Sequence, residues 1–223
     1  MKKLNEEIKT GQLKQVYLLC GEEAYLRNQY RDRLKTALLE GGDPLNLHYF
    51  EGKGTQVGEV IDLAETMPFL AMRRVLVLEN SELFKHGGEQ LAEYLASPAQ
   101  TAFFVFVEPA VDKRSKLYKA VLTKGRVIEC NTQDEAVLRR WILEFLGKEN
   151  MKSSERDLNF FLEKTGTNME NIRGELEKLM CYCLGRDVVT ARDIEEICVR
   201  QVSSQIFDMV SAVAEKRQKH AME

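Results

Sequence analysis

The segment at residues 15–28 most constrains the fold, because it reads as a buried strand, a glycine turn and a helix start. This is the frame of a phosphate-binding loop, whose motif G-x-x-x-x-G-K-[ST] brings backbone N–H groups, a lysine and a hydroxyl to phosphate and magnesium. Counted from Gly21, the last three motif positions hold Leu26, Arg27 and Asn28. A branched side chain blocks backbone approach to phosphate, arginine lacks the compact reach of lysine, and asparagine is a poor magnesium ligand. The sequence therefore predicts an NTPase fold that does not hydrolyse nucleotide.

The bulk composition is that of an ordinary globular chain of one large or two modest domains, with 223 residues, 44% hydrophobic and 30% charged. The net charge of −3 argues against a protein whose main task is coating nucleic acid, although a local basic patch is compatible with it. No apolar run approaches the roughly 18 residues of a membrane span, and the first residues lack the apolar stretch of a signal peptide. We therefore expect a cytoplasmic protein with no membrane partner.

Cysteine and histidine patterns predict no metal site and no cofactor. The five cysteines form no C-x-x-C pair, and only three histidines are available as further ligands. The odd cysteine count fits a reducing compartment, and we expect buried, unreactive thiols. Cys181 and Cys183, two apart on a predicted helix, should face different directions. No nucleophile motif surrounds the histidines, so no catalytic residue is predicted.

Short apolar runs alternate with helix-period segments as far as about residue 150. The runs are almost continuously hydrophobic, as strands covered on both faces of a parallel sheet are. Repeated strand–helix alternation predicts a right-handed, doubly wound α/β domain over residues 1–148. The predicted strands are 16–20, 45–50, 75–78, 102–107 and 127–130, and the predicted helices are 23–40, 55–66, 88–96, 113–123 and 134–147.

The chain after residues 147–150 lacks strand signals and predicts a small three-helix domain over 149–202. Ser154 and Thr190 each stand three residues before a carboxylate, a variant of the capping box that marks a helix start. Between these two starts, an apolar face followed by Gly185 predicts one more helix and its end.

Residues 203–223 predict the beginning of a further helical domain. Ile206, Phe207, Val210 and Ala214 lie on one face of a single amphipathic helix, which cannot form a core by itself. We therefore expect the chain to be a fragment of a longer protein.

A candidate interaction site lies at residues 67–74, between a predicted helix and the third strand. Pro68 ends the helix and turns the chain, so that Phe69 and Leu70 stand at the end of the element. From the sequence alone, burial of this pair in the core is the simpler interpretation. The alternative is an apolar anchor for a partner, with Arg73 and Arg74 as its polar edge. Two other interpretations of the arginines are a solvated edge and a salt-bridging pair.

Other candidate residues carry weaker signals. Residues 52–55 fail the phosphate-loop register, because glycine follows Lys53 where Ser or Thr is required. Glu79 ends a hydrophobic strand, as the metal-binding acid of NTPases does, but has no adjacent second acid. A basic run at Lys113, Arg114, Lys116 and Lys119 suits either a solvated helix start or a patch that contacts DNA phosphates.

The order and spacing of four segments, 17–26, 67–77, 112–117 and 174–179, cover nearly the whole chain. Together they resemble the delta subunits of the bacterial DNA polymerase III clamp loader. The resemblance implies a RecA/AAA+-like parallel sheet domain with its P-loop residues lost, a small helical lid domain and the truncated start of a helical collar.

The resemblance also implies a function without catalysis. Such a subunit binds the ring-shaped sliding clamp (beta) and helps to open it for loading onto primed DNA, with gamma/tau and delta-prime subunits joined through the collar. Phe69 and Leu70 match the apolar pair of the family that enters a pocket on the ring, in the order Phe-Leu where family members often have Leu-Phe. Met67 corresponds to a supporting contact.

Two alternatives from other classes remain open at this point. Arg27 and Glu79 motivate an active NTPase with a divergent loop, which predicts nucleotide binding with magnesium. The basic run motivates a DNA-binding regulator, which predicts strongly salt-dependent affinity for DNA.

Overall fold

The computed structural model describes residues 2–41 and 43–199, which fall into two compact units. The first ends at Thr132 and the second begins at Gln133. The predicted helical start at 203–223, with Ile206, Phe207, Val210 and Ala214, lies outside the described residues.

A five-stranded sheet in which every pairing is parallel forms the centre of the first unit. Its strand order is β2-β3-β4-β1-β5. The prediction of a parallel α/β fold is thus confirmed. The strands are β1 (Val16–Cys20), β2 (Leu47–Glu51), β3 (Arg74–Glu79), β4 (Ala102–Glu108) and β5 (Arg126–Glu129).

Helices cover both faces of the sheet. In the first unit they are α1 (Lys2–Thr10), α2 (Ala24–Leu39), α3 (Val57–Glu65), α4 (Glu89–Tyr94) and α5 (Lys116–Lys124). Helix α2 packs on one face against β1, β3 and β4. On the other face, side chains of α3, α4 and α5 form one buried core with alternate residues of β1, β3 and β4. Because β4 is buried along its whole length, it reads as an uninterrupted apolar run in the sequence.

Two local features of the first unit differ from the sequence prediction. The chain also forms α1, which was not predicted because its nine residues include only two large apolar side chains, Leu4 and Ile8. The buried Leu4 and the bonds of Glu7 to Arg126 and Tyr17 fix it to the unit. The second strand begins at Leu47, not 45, because a 3₁₀ turn at Pro44–Asn46 precedes it. Asp43 starts that turn by accepting a hydrogen bond from the N–H of Leu45 at 2.9 Å.

The second unit contains helices α6 (Glu135–Lys148), α7 (Glu155–Thr165), α8 (Met169–Tyr182) and α9 (Ala191–Ile197). Ser154 accepts from the N–H of Asp157 at the start of α7, and Asp193 accepts from the N–H of Thr190 at the start of α9, as predicted. Helix α6 contacts α8 and groups with this unit, so the predicted boundary at 148 lies one helix too late.

Two further expectations for the second unit are wrong. Two-residue strands, β6 (Lys152–Ser153) and β7 (Val188–Val189), pair in parallel where no strand was predicted, because pairs this short leave no periodic signal. Cys181 is exposed, whereas Cys183 is buried. The two thiols therefore face different directions, as predicted, but one of them is not a core residue. Within 2–41 and 43–199, no helix combines the length and apolarity needed to cross a membrane.

Candidate functional site

The candidate site residues lie at two edges of the parallel sheet, the carboxyl edge and the amino edge of its strands. The Gly21 turn follows β1 and Glu79 ends β3, so both lie at the carboxyl edge, where ligands bind in this architecture. Residues 66–73 precede β3 and the 3₁₀ turn precedes β2, so both lie at the amino edge. The two candidate sites of the sequence are therefore at opposite edges of one sheet.

Gly21 is required at the carboxyl edge for packing. Its φ of +133° lies outside the range of ordinary residues, and a Cβ there would overlap the carbonyl oxygen of Cys130. The N–H of Gly21 donates to the carbonyl of Glu108 at 3.4 Å. Arg27 donates from its guanidinium to the carbonyl of Gly21. Both main-chain polar groups of Gly21 are thus hydrogen-bonded to other protein groups.

The other motif positions also have structural roles. Leu26 is buried in the first unit, whereas Asn28 is exposed on α2 and accepts a hydrogen bond from Arg31 at 3.3 Å. Arg31 also donates to both carboxylate oxygens of Glu79, each at 3.1 Å. Glu79, the residue at the position of a metal-binding acid, is therefore paired with the guanidinium of Arg31.

A cavity of about 500 Å³ lies against the Gly21 turn. Its lining includes Lys113, whose ammonium forms a 2.6 Å ion pair with Glu129, and a second carboxylate on Glu22. Because Glu129 pairs with this lysine and Glu22 adds a second carboxylate to the lining, the cavity offers a polyphosphate little uncompensated positive charge. Neither Leu26 nor Asn28 is among the residues that line this cavity.

A buried carboxylate supports the turn after β3 at the same edge. Glu108 accepts hydrogen bonds from the N–H of Ser81 at 2.8 Å and from its hydroxyl at 2.6 Å. Burial raises the pKa of Glu108, and the Ser81 bonds oppose that shift. The neighbouring Asn80 and Glu82 adopt left-handed φ values of +53° and +59°. Glu108 thus holds a strained turn.

The amino edge carries an exposed apolar loop. Met67, Phe69, Leu70 and Met72 expose 79%, 55%, 92% and 82% of their surfaces. The interpretation of Phe69 and Leu70 as core residues is therefore wrong. Leu70 has a left-handed φ of +47°, which is uncommon and strained for a residue with a branched side chain. We call Met67, Phe69, Leu70 and Met72 the apolar loop.

Asn46, in the 3₁₀ turn, holds the centre of the apolar loop. Its side-chain oxygen accepts from the N–H of Phe69 at 2.7 Å, and its side-chain NH₂ donates to the carbonyl of Phe69 at 2.8 Å. Asn46 is fully buried. The carboxamide therefore satisfies both main-chain polar groups of Phe69, much as a neighbouring strand would.

Arg74 holds the start of the same loop. Its guanidinium donates to the carbonyls of Thr66 at 3.2 Å and Met67 at 2.7 Å, and its Nη1 lies 2.7 Å from Nε2 of His48. The pKa of His48 is lowered by burial and by the Arg74 charge, which favours the neutral ring that accepts this bond. Arg74 is buried, so its interpretation as a solvated edge is wrong.

Arg73 fixes the other end of the loop. It forms an ion pair with Glu40 at 2.6 Å and lies over the ring of Phe103 at 5.2 Å. Its interpretation as a salt-bridging residue is thus confirmed. Sequence reasoning missed Asn46 and His48 as supports and Met72 as an exposed residue. The signal for Asn46 was weak, because an asparagine in the segment Asp43-Pro44-Leu45-Asn46, just before a strand, is typical of an ordinary turn.

The four basic residues of the run at 113–119 are all exposed around the start of α5. Two of them are paired within the chain, Lys113 with Glu129 at 2.6 Å and Arg114 with Asp112 at 3.1 Å. Ser115 starts the helix by accepting from the N–H of Tyr118 at 3.2 Å. The arrangement fits a solvated helix start. Contact of the run with DNA stays a prediction, for which Lys116 and Lys119 are the remaining candidates.

Comparisons with known proteins cover both units. The family model described as "DNA polymerase III, delta subunit" matches residues 17–131. A curated DNA polymerase III subunit delta of Bacillus subtilis is 22% identical over 98% of this chain and 66% of its own length. A probable DNA polymerase III subunit delta of Aquifex aeolicus is 21% identical over 82% of this chain and 54% of its own length. The chain thus spans between about half and two thirds of these relatives.

Solved structures show the same fold. The DNA clamp loader delta protein of Bacillus subtilis superimposes with a TM-score of 0.71 at 21% identity, covering 99% of this chain and 69% of that one. A RuvB variant of Thermotoga maritima superimposes with a TM-score of 0.56 at 14% identity, covering 97% of this chain and 75% of that one. The second likeness is one of fold alone and is consistent with the AAA+-like architecture that the resemblance implies.

Proposed function

Because the chain belongs to the DNA polymerase III delta subunit family, we propose that it binds the sliding clamp through its apolar loop and helps to open the ring for loading onto primed DNA. The observation that carries this proposal is the exposure of the apolar loop on a fixed backbone. Large apolar groups cost free energy in water unless a partner covers them. Met67, Phe69 and Leu70 are the proposed clamp-binding residues.

The loop has the character of a binding hot spot. A few large side chains carry most of the binding free energy when they enter a desolvated pocket and a polar rim excludes water around them. Phe69 and Leu70 supply such groups, and Met72 adds a flexible apolar side chain beside them. The loop backbone is held by Asn46 and Arg74, so little conformational entropy remains to be lost on binding.

We further propose that the subunit does not hydrolyse ATP. This is supported at the carboxyl edge, where Arg27 bonds to the Gly21 carbonyl and Arg31 holds Glu79. Titration with ATP and magnesium should give no binding at millimolar nucleotide. Saturable binding there would favour the alternative of an active NTPase with a divergent loop.

The binding experiment compares the chain with its Phe69→Ala/Leu70→Ala double variant. We expect the double variant to bind the cognate clamp at least about a hundredfold more weakly, because two anchors are removed. Leu122→Ala is the matched control, since Leu122 on α5 is 56% exposed, close to the 55% of Phe69. If the double variant folds normally and keeps the affinity of wild type, the site assignment is wrong.

Ring opening is tested separately from binding. A ligand shifts an equilibrium only by its differential affinity for the two states. If the chain favours the open ring, it should bind more tightly to a clamp variant with a weakened subunit interface, and it should speed release of closed rings from circular DNA. Equal affinity for both clamps would leave binding intact but exclude the opening activity.

The remaining partners follow from the same family membership. We propose that gamma/tau and delta-prime subunits join the full-length protein through its collar, and that primed DNA is contacted within the assembled cytoplasmic complex. Lys113, Arg114, Lys116 and Lys119 are the candidate DNA contacts. The two internal ion pairs of this group predict weak DNA affinity for the isolated chain.

A further inference from the structure

The apolar loop depends on a side chain that belongs to another element. Phe69 has both of its main-chain polar groups paired to the carboxamide of Asn46, at 2.7 and 2.8 Å. Asn46 is fully buried, whereas the Leu70 side chain beside this peptide is 92% exposed. One buried polar side chain therefore holds the main chain of Phe69, from which Phe69 and the adjacent Leu70 extend into solvent.

The geometry of the loop is costly without that support. Leu70 adopts a left-handed φ of +47°, a conformation that costs a branched residue on the order of 1 kcal/mol and persists only where the surroundings impose it. Arg74 fixes the carbonyls of Thr66 and Met67 just before this point. Hydrogen bonds before and at Phe69, together with the Arg73–Glu40 ion pair after Leu70, therefore restrain the chain on both sides of this residue.

We infer that Asn46 is a positioning residue, which holds the Phe69 peptide so that Phe69 and Leu70 are presented to the clamp in a binding-ready conformation. Arg74 acts with it at the start of the loop. This inference rests on the proposed function, since it concerns the same surface. Its physical basis is preorganisation: a loop already fixed in its bound form loses less conformational freedom on association.

The inference predicts an effect on binding without removal of any contacting side chain. Asn46→Ala leaves all four apolar side chains in place but deletes both hydrogen bonds to Phe69. We expect the Phe69 amide to exchange with solvent hydrogen at least tenfold faster, and the affinity for the clamp to fall at least tenfold. Both measurements use the full 223-residue chain at a temperature where circular dichroism shows it to be folded.

The matched control is Asn168→Ala. Asn168 also accepts a main-chain hydrogen bond, from the N–H of Asn171 at 2.9 Å, but it does so at the start of α8 in the second unit. We expect this variant to leave both the Phe69 exchange rate and the clamp affinity within twofold of wild type. A role of Asn46 in folding alone would make the two variants behave alike.

Two further variants keep the test decisive. If Asn46→Ala does not fold, Asn46→Asp preserves the size and one acceptor but removes the donor to the Phe69 carbonyl, and Arg74→Lys removes the forked contact at the start of the loop. Each should accelerate exchange in the loop and weaken clamp binding. Faster exchange at Phe69 together with wild-type affinity, in either Asn46 variant, overturns the inference.

The outcomes also separate this inference from the proposed function. If wild type does not bind the clamp at all, the proposed function fails and the inference fails with it. If wild type binds, Leu70→Ala binds weakly and the Asn46 variant binds like wild type, the proposed function stands and only the positioning role is rejected.

Discussion

Arg31 and Glu79 form a two-point ion pair, in which one guanidinium nitrogen of α2 lies 3.1 Å from each carboxylate oxygen at the end of β3. The side chains expose only 21% and 16% of their surfaces. The pair thus neutralises the acid at the carboxyl edge and connects α2 to the sheet at the same time. This pairing fits a parallel α/β domain that acts as a rigid scaffold and has no nucleotide-binding site at this edge.

The ion pair predicts a measurable contribution to stability. Glu79→Gln should lower the free energy of unfolding by about 1–3 kcal/mol, between the values typical of exposed and of buried pairs. Urea unfolding measures it. Glu177→Gln is the control, because Glu177 and Arg173 form a half-exposed pair within α8 that should contribute at most about 0.5 kcal/mol. Equal losses in both variants would mean that the Arg31 pair has no special role.

We expect a substitution of Gly21 to lower the stability of the fold strongly, because of the backbone conformation and packing at this position. Gly21→Ala should lower the free energy of unfolding by about 2–4 kcal/mol, because the added Cβ overlaps the Cys130 carbonyl and the φ of +133° is strained for alanine. Thermal or urea unfolding measures the change. Gly174→Ala, in the exposed interior of α8 with open space around it, should instead stabilise by about 0.5–1 kcal/mol. A tolerated Gly21→Ala would contradict the packing role.

We expect substitutions of Leu70 to affect the free energy of unfolding and the affinity for the clamp differently. Leu70→Gly and Leu70→Ala both remove the exposed side chain, but only glycine relieves the left-handed backbone. We expect the free energy of unfolding of Leu70→Gly to exceed that of Leu70→Ala by about 1 kcal/mol. Both should bind the clamp at least tenfold more weakly than wild type. Identical stabilities of the two variants would mean that the loop relaxes and that the strain is absent in solution.

His48 predicts a pH dependence of stability. Its folded pKa lies below the ordinary value of 6.5, because burial and the Arg74 charge disfavour the protonated ring. As the pH falls below about 6.5, the unfolded chain therefore binds this proton more readily than the folded chain. Stability should fall from there toward the folded pKa, with a slope of at most about 1.4 kcal/mol per pH unit.

The matched variant for this titration is His48→Gln, which keeps an acceptor for Arg74 but does not titrate. Urea unfolding at pH 7.5, 6.5 and 5.5 should show a loss in wild type that the variant lacks. Parallel losses in both proteins would assign the effect to other groups.

Much of the first unit could be predicted because its physical causes are local. Continuous apolar runs such as residues 102–107 are what a strand covered on both faces requires, and the five predicted strands all occur with small shifts at their ends. The loss of the phosphate-loop residues could also be recognised from the sequence alone, since that motif is defined by residue types at fixed spacing.

The missed features arise from contacts between distant parts of the chain. Helix α1 is polar in sequence and is fixed by Glu7 to Arg126, 119 residues away. Helix α6 directly follows the last strand of the five-stranded sheet, yet it contacts α8 and groups with the second unit. The two-residue strands β6 and β7 depend on each other across 36 residues. Neither periodicity nor propensity carries such information.

The sequence by itself determined a parallel α/β domain, a phosphate loop without its chemistry, and an apolar group at residues 67–72. Only the tertiary structure decided that this group faces solvent. The reason is that exposure depends on what the neighbouring backbone bonds to: the buried carboxamide of Asn46 pairs the Phe69 peptide across 23 residues, and Arg74 pairs the peptides before it. With its main chain satisfied in this way, the loop leaves its apolar side chains outside the core.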